Sequence, residues 1–206
     1  MSNPVKIHSF PLSGHSHRVI LLASLAGIEY EVNNIDLPNG EHKQAPYLSL
    51  NPLGEVPTIE DGDAVIYDSN AILVYLARKY APHFLPTDPI QEAEVQKFLA
   101  LAAGEISFGP AAARLITVFN AQRDPNFCQE IATKALTKLE NHLQGREFLV
   151  GDSVTIADVA IYSYTAHAPE GNIALDHYPN VQRLLKNIEA LDGFIPMPKT
   201  QAGLCA

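Results

Sequence analysis

Cysteine is scarce in this 206-residue chain, with Cys128 and Cys205 the two examples. They form no C-x-x-C and share no metal-ligand spacing, which counts against a dithiol redox motif or a zinc site. Cys128 falls in a predicted helix and Cys205 is penultimate, so both read as structural or incidental. The 8 histidines include no H-x-x-x-H pair and no Cys/His cluster, and no metal is expected. Positive charge is also short. The formal net charge of −9 counts against nucleic acid as a general partner, because phosphate binding needs clustered Lys and Arg. A small anion stays admissible where local cations outweigh the global field. No long uninterrupted apolar span is visible, and the opening residues run into a strand pattern without a signal-peptide apolar core. A cytoplasmic protein with no membrane partner is the expectation. No G-x-S-x-G occurs and no general base pairs with a serine, which disfavours a serine-nucleophile hydrolase.

What is present is an ordinary globular composition, 47% hydrophobic and 18% charged, far from disorder. Val5-Lys-Ile-His-Ser-Phe10 alternates as a half-buried strand does, and Pro11 ends it. A polar turn precedes a helix over Arg18–Ala26, stopped by Gly27. Residues 29–33 alternate again, so the opening is strand, helix, strand, which favours a parallel pair. After a broken stretch with a short helical piece around Gln44–Leu48, Val56-Pro57 enters another strand. Asp61-Gly62 is a hairpin turn signal, Ala64–Tyr67 returns, and Asp68-Ser69 starts a helix running to about Tyr80. Pro82, Pro86 and Pro89 mark a linker. Beyond it the periodicity is helical throughout: about 90–120, bent or broken near Gly109-Pro110; a helix through Phe127, Ile131, Leu136 and Leu143; one over Ile156–Tyr164 behind a capping-box-like Thr155 and Asp158; and one over Val181–Leu191. The predicted domains are residues 1–80 with thioredoxin-like order and a mixed four-stranded sheet, a linker over 81–89, and an all-helical domain over 90–206.

Three stretches could carry chemistry. Asp68-Ser69 is either a plain N-cap or, with a helix N-terminus for a carboxylate and an Asp for an ammonium, one end of a zwitterion pocket. Ser13 and Ser16 lie at the mouth of the first helix. One can cap it with the other exposed, or one can donate a hydrogen bond to a thiolate beside free helix N–H groups. In Gly40-Glu-His-Lys43, His42 and Lys43 can bind a carboxylate or simply face solvent. Arg18 is expected to snorkel from the first helix.

Four blocks in this order resemble the cytosolic glutathione transferases over essentially the whole chain. They are Ser13-Gly-His-Ser-His-Arg-Val19; Gly40–Lys43 with Tyr47-Leu-Ser-Leu-Asn-Pro52; Gly54-Glu-Val-Pro-Thr-Ile59 leading to Tyr67-Asp-Ser-Asn-Ala-Ile72; and Asp152-Ser-Val-Thr-Ile-Ala-Asp158. The resemblance is to serine-type, theta- or phi-like bacterial members. It implies a glutathione S-transferase acting on small hydrophobic electrophiles, with glutathione as co-substrate, no metal, and a homodimer engaged in detoxification. It also implies roles. Pro57 is a cis-proline, and Val56 pairs its backbone with the cysteinyl part of glutathione. Asp68 and Ser69 hold the γ-glutamyl ammonium and carboxylate, and His42 with Lys43 meets the glycine carboxylate. Ser13, or alternatively Ser16, stabilises the thiolate, and Leu12, Ile106, Phe108, Ala111 and Leu115 line the electrophile site. Two departures stand out. Position 55 is Glu where many relatives carry Gln or Lys, and neither Tyr nor Cys occupies the catalytic position, which argues against the tyrosine and cysteine branches. A glutathione-dependent disulfide or peroxide reductase and a non-catalytic transferase-like binding protein are the competing readings.

Overall fold

The computed structural model describes residues 3–206, which divide into two compact units: 3–82 with 192–198, and 83–191 with 199–206. The first unit carries β1 (Val5–Ser9), α1 (Gly14–Leu25), β2 (Tyr30–Asn34), a 3-10 turn over Glu41–Lys43, α2 (Ala45–Leu48), β3 (Thr58–Asp61), β4 (Ala64–Tyr67) and α3 (Ser69–Tyr80). Its four strands run in the order β2-β1-β3-β4, with β1 parallel to β2 and the other pairings antiparallel, which is the expected mixed sheet. Ile7 opposite Ile59 at its centre packs with Val19, Leu22, Ile72, Leu73 and Leu76, all fully buried. Val56-Pro57 is cis and leads directly into β3.

Three expectations for this unit are corrected. α1 starts at Gly14, four residues before the predicted Arg18, because the Ser13 side chain caps it by accepting from the Ser16 amide. Arg18 does not snorkel. It is 0% exposed, since its guanidinium turns inward to donate to Ser69 Oγ and Asn70 Oδ1. Ser16 is likewise buried rather than exposed, its oxygen accepting from the Phe10 amide at the end of β1.

The second unit is helical: α4 (Pro89–Leu101), a π-helical stretch (Ala102–Ala111), α5 (Ala112–Phe119), α6 (Pro125–His142), α7 (Ile156–Ala166) and α8 (Pro179–Glu189). The predicted break near Gly109-Pro110 is instead a widening. A proline removes one helical donor, and here it falls in a stretch already wound with i→i+5 bonding, so the helix continues. The run from Pro89 to Phe119 is long and apolar enough to cross a membrane by length and composition; half of its apolar window is buried inside the fold. Thr155 and Asp158 form the expected capping box, and Asp158 also accepts from the Leu149 amide. The tail does not all belong with the helices. Residues 192–198 belong to the first unit, where Gly193 O accepts from Ser24 Oγ and Ile195 O lies 2.8 Å from His17 Nε2.

Candidate functional site

The site begins with a turn that one residue type makes possible. Gly54 has φ of +60°, and a Cβ there would lie 2.7 Å from the His42 carbonyl oxygen. With that clearance, Lys43 Nζ reaches the Leu53 and Gly54 carbonyls at 3.2 and 3.1 Å. The Glu55 carbonyl is held from behind by the Tyr47 hydroxyl at 2.6 Å and Asn51 Nδ2 at 2.9 Å. The next residue, Val56, is thus fixed at the mouth of β3 while its own N–H and C=O have no hydrogen-bond partner among the described residues. A strand-like backbone left open in this way is a template for an extended peptide.

Across the recess, β4 ends at Tyr67 and α3 begins. Asp68 sits at the junction with φ of 70°, in a region that non-glycine residues seldom adopt and that clusters at ligand clamps. Its Oδ1 accepts from the Asn70 and Ala71 amides, both at 2.9 Å. Among the described residues, Oδ2 and the Ser69 amide are left without partners. One side chain therefore caps the helix and still shows a carboxylate oxygen to the recess. The two readings of Asp68-Ser69, cap and ligand wall, are compatible. Ser69 is buried, its hydroxyl near His15 Nδ1 and Arg18 Nη1.

The recess is lined by His15, Asn51, Leu53, Glu55, Val56, Pro57, Tyr67, Asp68 and Ser69. Four of the sequence-predicted residues, Val56, Pro57, Asp68 and Ser69, meet there. Ser13, Ser16, His42 and Lys43 are not part of that lining. Ser13 is half-buried at the cap of α1, accepting with its oxygen; its hydroxyl proton has no acceptor among the described residues. His42 is half-buried and its Nδ1, shielded from solvent, is also unpartnered. Of the residues expected to line an electrophile site, Ile106 and Ala111 are core at 0% and 4% exposure, Phe108 is 56% exposed, and Leu12 and Leu115 are half-buried.

His15 and Asn51 were not singled out by the sequence, although both lie inside quoted blocks. Burial, followed by the positive charge of Arg18, pushes the His15 imidazole down to about 3, so the ring is neutral at working pH. Periodicity marks a helix start but does not tell which of its polar residues turns inward. Among the described residues, no group of three His, Cys, Asp or Glu side chains is placed to hold a metal.

The chain matches the family models for the glutathione S-transferase N-terminal domain over residues 12–79 and C-terminal domain over residues 115–194. It is 32% identical over 164 residues to glutathione S-transferase 3 of Zea mays, covering 75% of this chain and 74% of the relative. The crystal structure of a glutathione S-transferase from Pseudomonas fluorescens Pf-5 superposes with a TM-score of 0.90 at 28% identity, covering 96% of this chain and 100% of that one. A glutathione transferase homologue from Drosophila mojavensis, solved with bound glutathione, gives 0.84 at 26% identity, covering 93% and 89%. With the thioredoxin-like and helical halves both matched, the chain belongs to the glutathione S-transferase family and is a glutathione transferase.

Proposed function

We propose that the recess of the first unit binds glutathione and that Ser13 activates its thiol for attack on small hydrophobic electrophiles. The observation that carries this is the pairing, around one recess, of an open strand-like backbone at Val56 with an unpartnered helix amide at Ser69. The cysteinyl unit adds to Val56 as a short antiparallel strand. Its γ-glutamyl end lies between Asp68 Oδ2, which takes the ammonium, and the Ser69 amide and hydroxyl, which take the carboxylate. His42, with an unpartnered ring nitrogen, suits the glycine carboxylate better than Lys43, whose ammonium already serves two carbonyls. A free thiol with a pKa near 8.5 is only a few per cent thiolate at pH 7; lowering it by about 1.5–2 units corresponds to roughly 2–2.7 kcal/mol. Ser13 suits that task because its cap role uses an oxygen lone pair and leaves the proton to donate. Ser16 is buried and holds the end of β1. On the helical unit, Phe108 and Leu115 keep accessible apolar surface for an electrophile, whereas Ile106 and Ala111 support from the core. The protein acts as a cytoplasmic homodimer in detoxification, and sedimentation at twice the chain mass tests the dimer.

Ser13→Ala is expected to lower kcat with an aryl halide by about 10- to 100-fold, the scale of losing one hydrogen bond to a charged group. Glutathione affinity by calorimetry should stay within roughly twofold, while the bound thiol's pKa, read from thiolate ultraviolet absorbance, rises. Full activity in Ser13→Ala with an inactive Ser16→Ala would move the role to Ser16.

A further inference from the structure

The hydroxyl oxygen of Ser69 is approached by two residues of α1. Arg18 Nη1 donates to it at 3.4 Å and to Asn70 Oδ1 at 3.0 Å; a guanidinium is always protonated and only donates. His15 Nδ1 stands 3.2 Å from the same oxygen. A serine hydroxyl has two lone pairs and one proton. With Arg18 on one lone pair, the tautomer of His15 settles the rest. If Nδ1 lacks hydrogen, Ser69 donates inward and shows the recess a lone pair, which repels a carboxylate. If Nδ1 carries the hydrogen, it donates to the second lone pair and the Ser69 proton is turned outward.

We propose that His15 is a positioning residue for glutathione, a neutral ring whose Nδ1–H donates to Ser69 Oγ and turns the Ser69 proton towards the γ-glutamyl α-carboxylate. The proposal rests on the reading above that Ser69 receives that carboxylate. His15 lines the same recess as Asp68 and Ser69. Its neutrality, imposed by burial and by Arg18, means that it acts through hydrogen-bond direction and not through charge. Asp68 already supplies an acceptor for the ammonium, so a second acceptor at Ser69 would face the wrong group. A carboxylate only accepts, so its arrival selects the Nδ1–H tautomer.

Geometry supplies the variants. Asparagine places its amide nitrogen as many bonds from Cβ as imidazole Nδ1, glutamine places it one bond further, and leucine fills the space without a donor. His15→Leu should raise KM for glutathione about tenfold, as loss of support for one charge-assisted hydrogen bond does, with kcat changing far less. His15→Asn should recover most of that loss and His15→Gln little of it. The deciding ligand is γ-aminobutyryl-cysteinylglycine, which is glutathione without the α-carboxylate. Wild type should bind it more weakly than glutathione, and His15→Leu should bind it no more weakly than wild type does. Equal losses on both ligands, or rescue by Gln as good as by Asn, overturn the role of His15. A wild type that binds both ligands alike overturns the Ser69 reading and the proposal with it. Should His15→Leu not fold, the Asn and Gln comparison decides alone.

Discussion

Gly54 concentrates the constraints on the cradle in one missing methyl group. Its φ of +60° disfavours any side chain, and an added Cβ would meet the His42 carbonyl at 2.7 Å and Lys43 Nζ at 3.0 Å. Lysine can swing away; the backbone carbonyl cannot move without carrying the 41–43 turn with it. Gly54→Ala is therefore expected to cost about 1–3 kcal/mol and to raise KM for glutathione, because the displaced loop carries Val56. Urea unfolding and steady-state kinetics on the same preparation check both effects, and an alanine variant unchanged in each would show that the loop relaxes freely. The residues of this cradle were unequally visible in the sequence. Val56, Pro57, Asp68 and Ser69 stood out because a proline at a strand entrance and an Asx-Ser helix start are local signals. His15 and Arg18 act through a residue far along the chain, Ser69 for both, and no local pattern reveals such a partner.

At the scale of single elements, the sequence was most legible where punctuation is chemical. The Asp61-Gly62 hairpin and the Thr155–Asp158 capping box both read directly. The π-helical stretch did not, since its cause is tertiary. A Cβ on Gly109 would sit 2.6 Å from the Ala132 amide nitrogen and 2.8 Å from its Cα, so the segment approaches α6 backbone to backbone. Winding wider over Ala102–Ala111 keeps Ile106 in the core on one side while Phe108 reaches solvent on the other. Gly109→Ala should force these helices apart and destabilise the protein by about 1–3 kcal/mol or more, the cost of overpacking against an immobile neighbour. Gly104→Ala, where added volume meets nothing, serves as the control. Thermal unfolding should separate the two variants by several degrees at least; equal melting points would mean that the close approach is not needed.

For the molecule as a whole, the change from mixed strand and helix signals to unbroken helical periodicity leads to an expectation of two halves, and the compact units divide between Pro82 and His83. The return of residues 192–198 to the first unit is silent in the sequence because that segment has no period to read. A second long-range feature, also silent in sequence, organises the helical unit around a buried carboxylate. Glu170, 1% exposed, takes Arg114 Nε at 2.6 Å, lies 2.7 Å from His167 Nδ1, and accepts from the Thr200 amide and hydroxyl at 3.0 and 2.8 Å. It thereby ties α5, the turn after α7 and the final residues together. Burial pushes its carboxyl upward, but the Thr200 donors, His167 and Arg114 together prevail and hold it at about 2, below its ordinary 4.5. A carboxyl depressed on folding stabilises fully above its unfolded pKa, and that stability is lost as pH falls from about 4.5 through about 2. The contribution is on the order of 3 kcal/mol. Glu170→Gln should be less stable than wild type at pH 7, partly because buried Arg114 loses its carboxylate partner. Urea unfolding at a series of pH values should show that deficit narrowing by on the order of 3 kcal/mol between about pH 5 and pH 2, since wild type loses its carboxylate in that window and the amide has none to lose. A deficit that stays constant across the window would mean that the Glu170 carboxyl binds its proton equally well folded and unfolded, so that the cluster does not stabilise its charge.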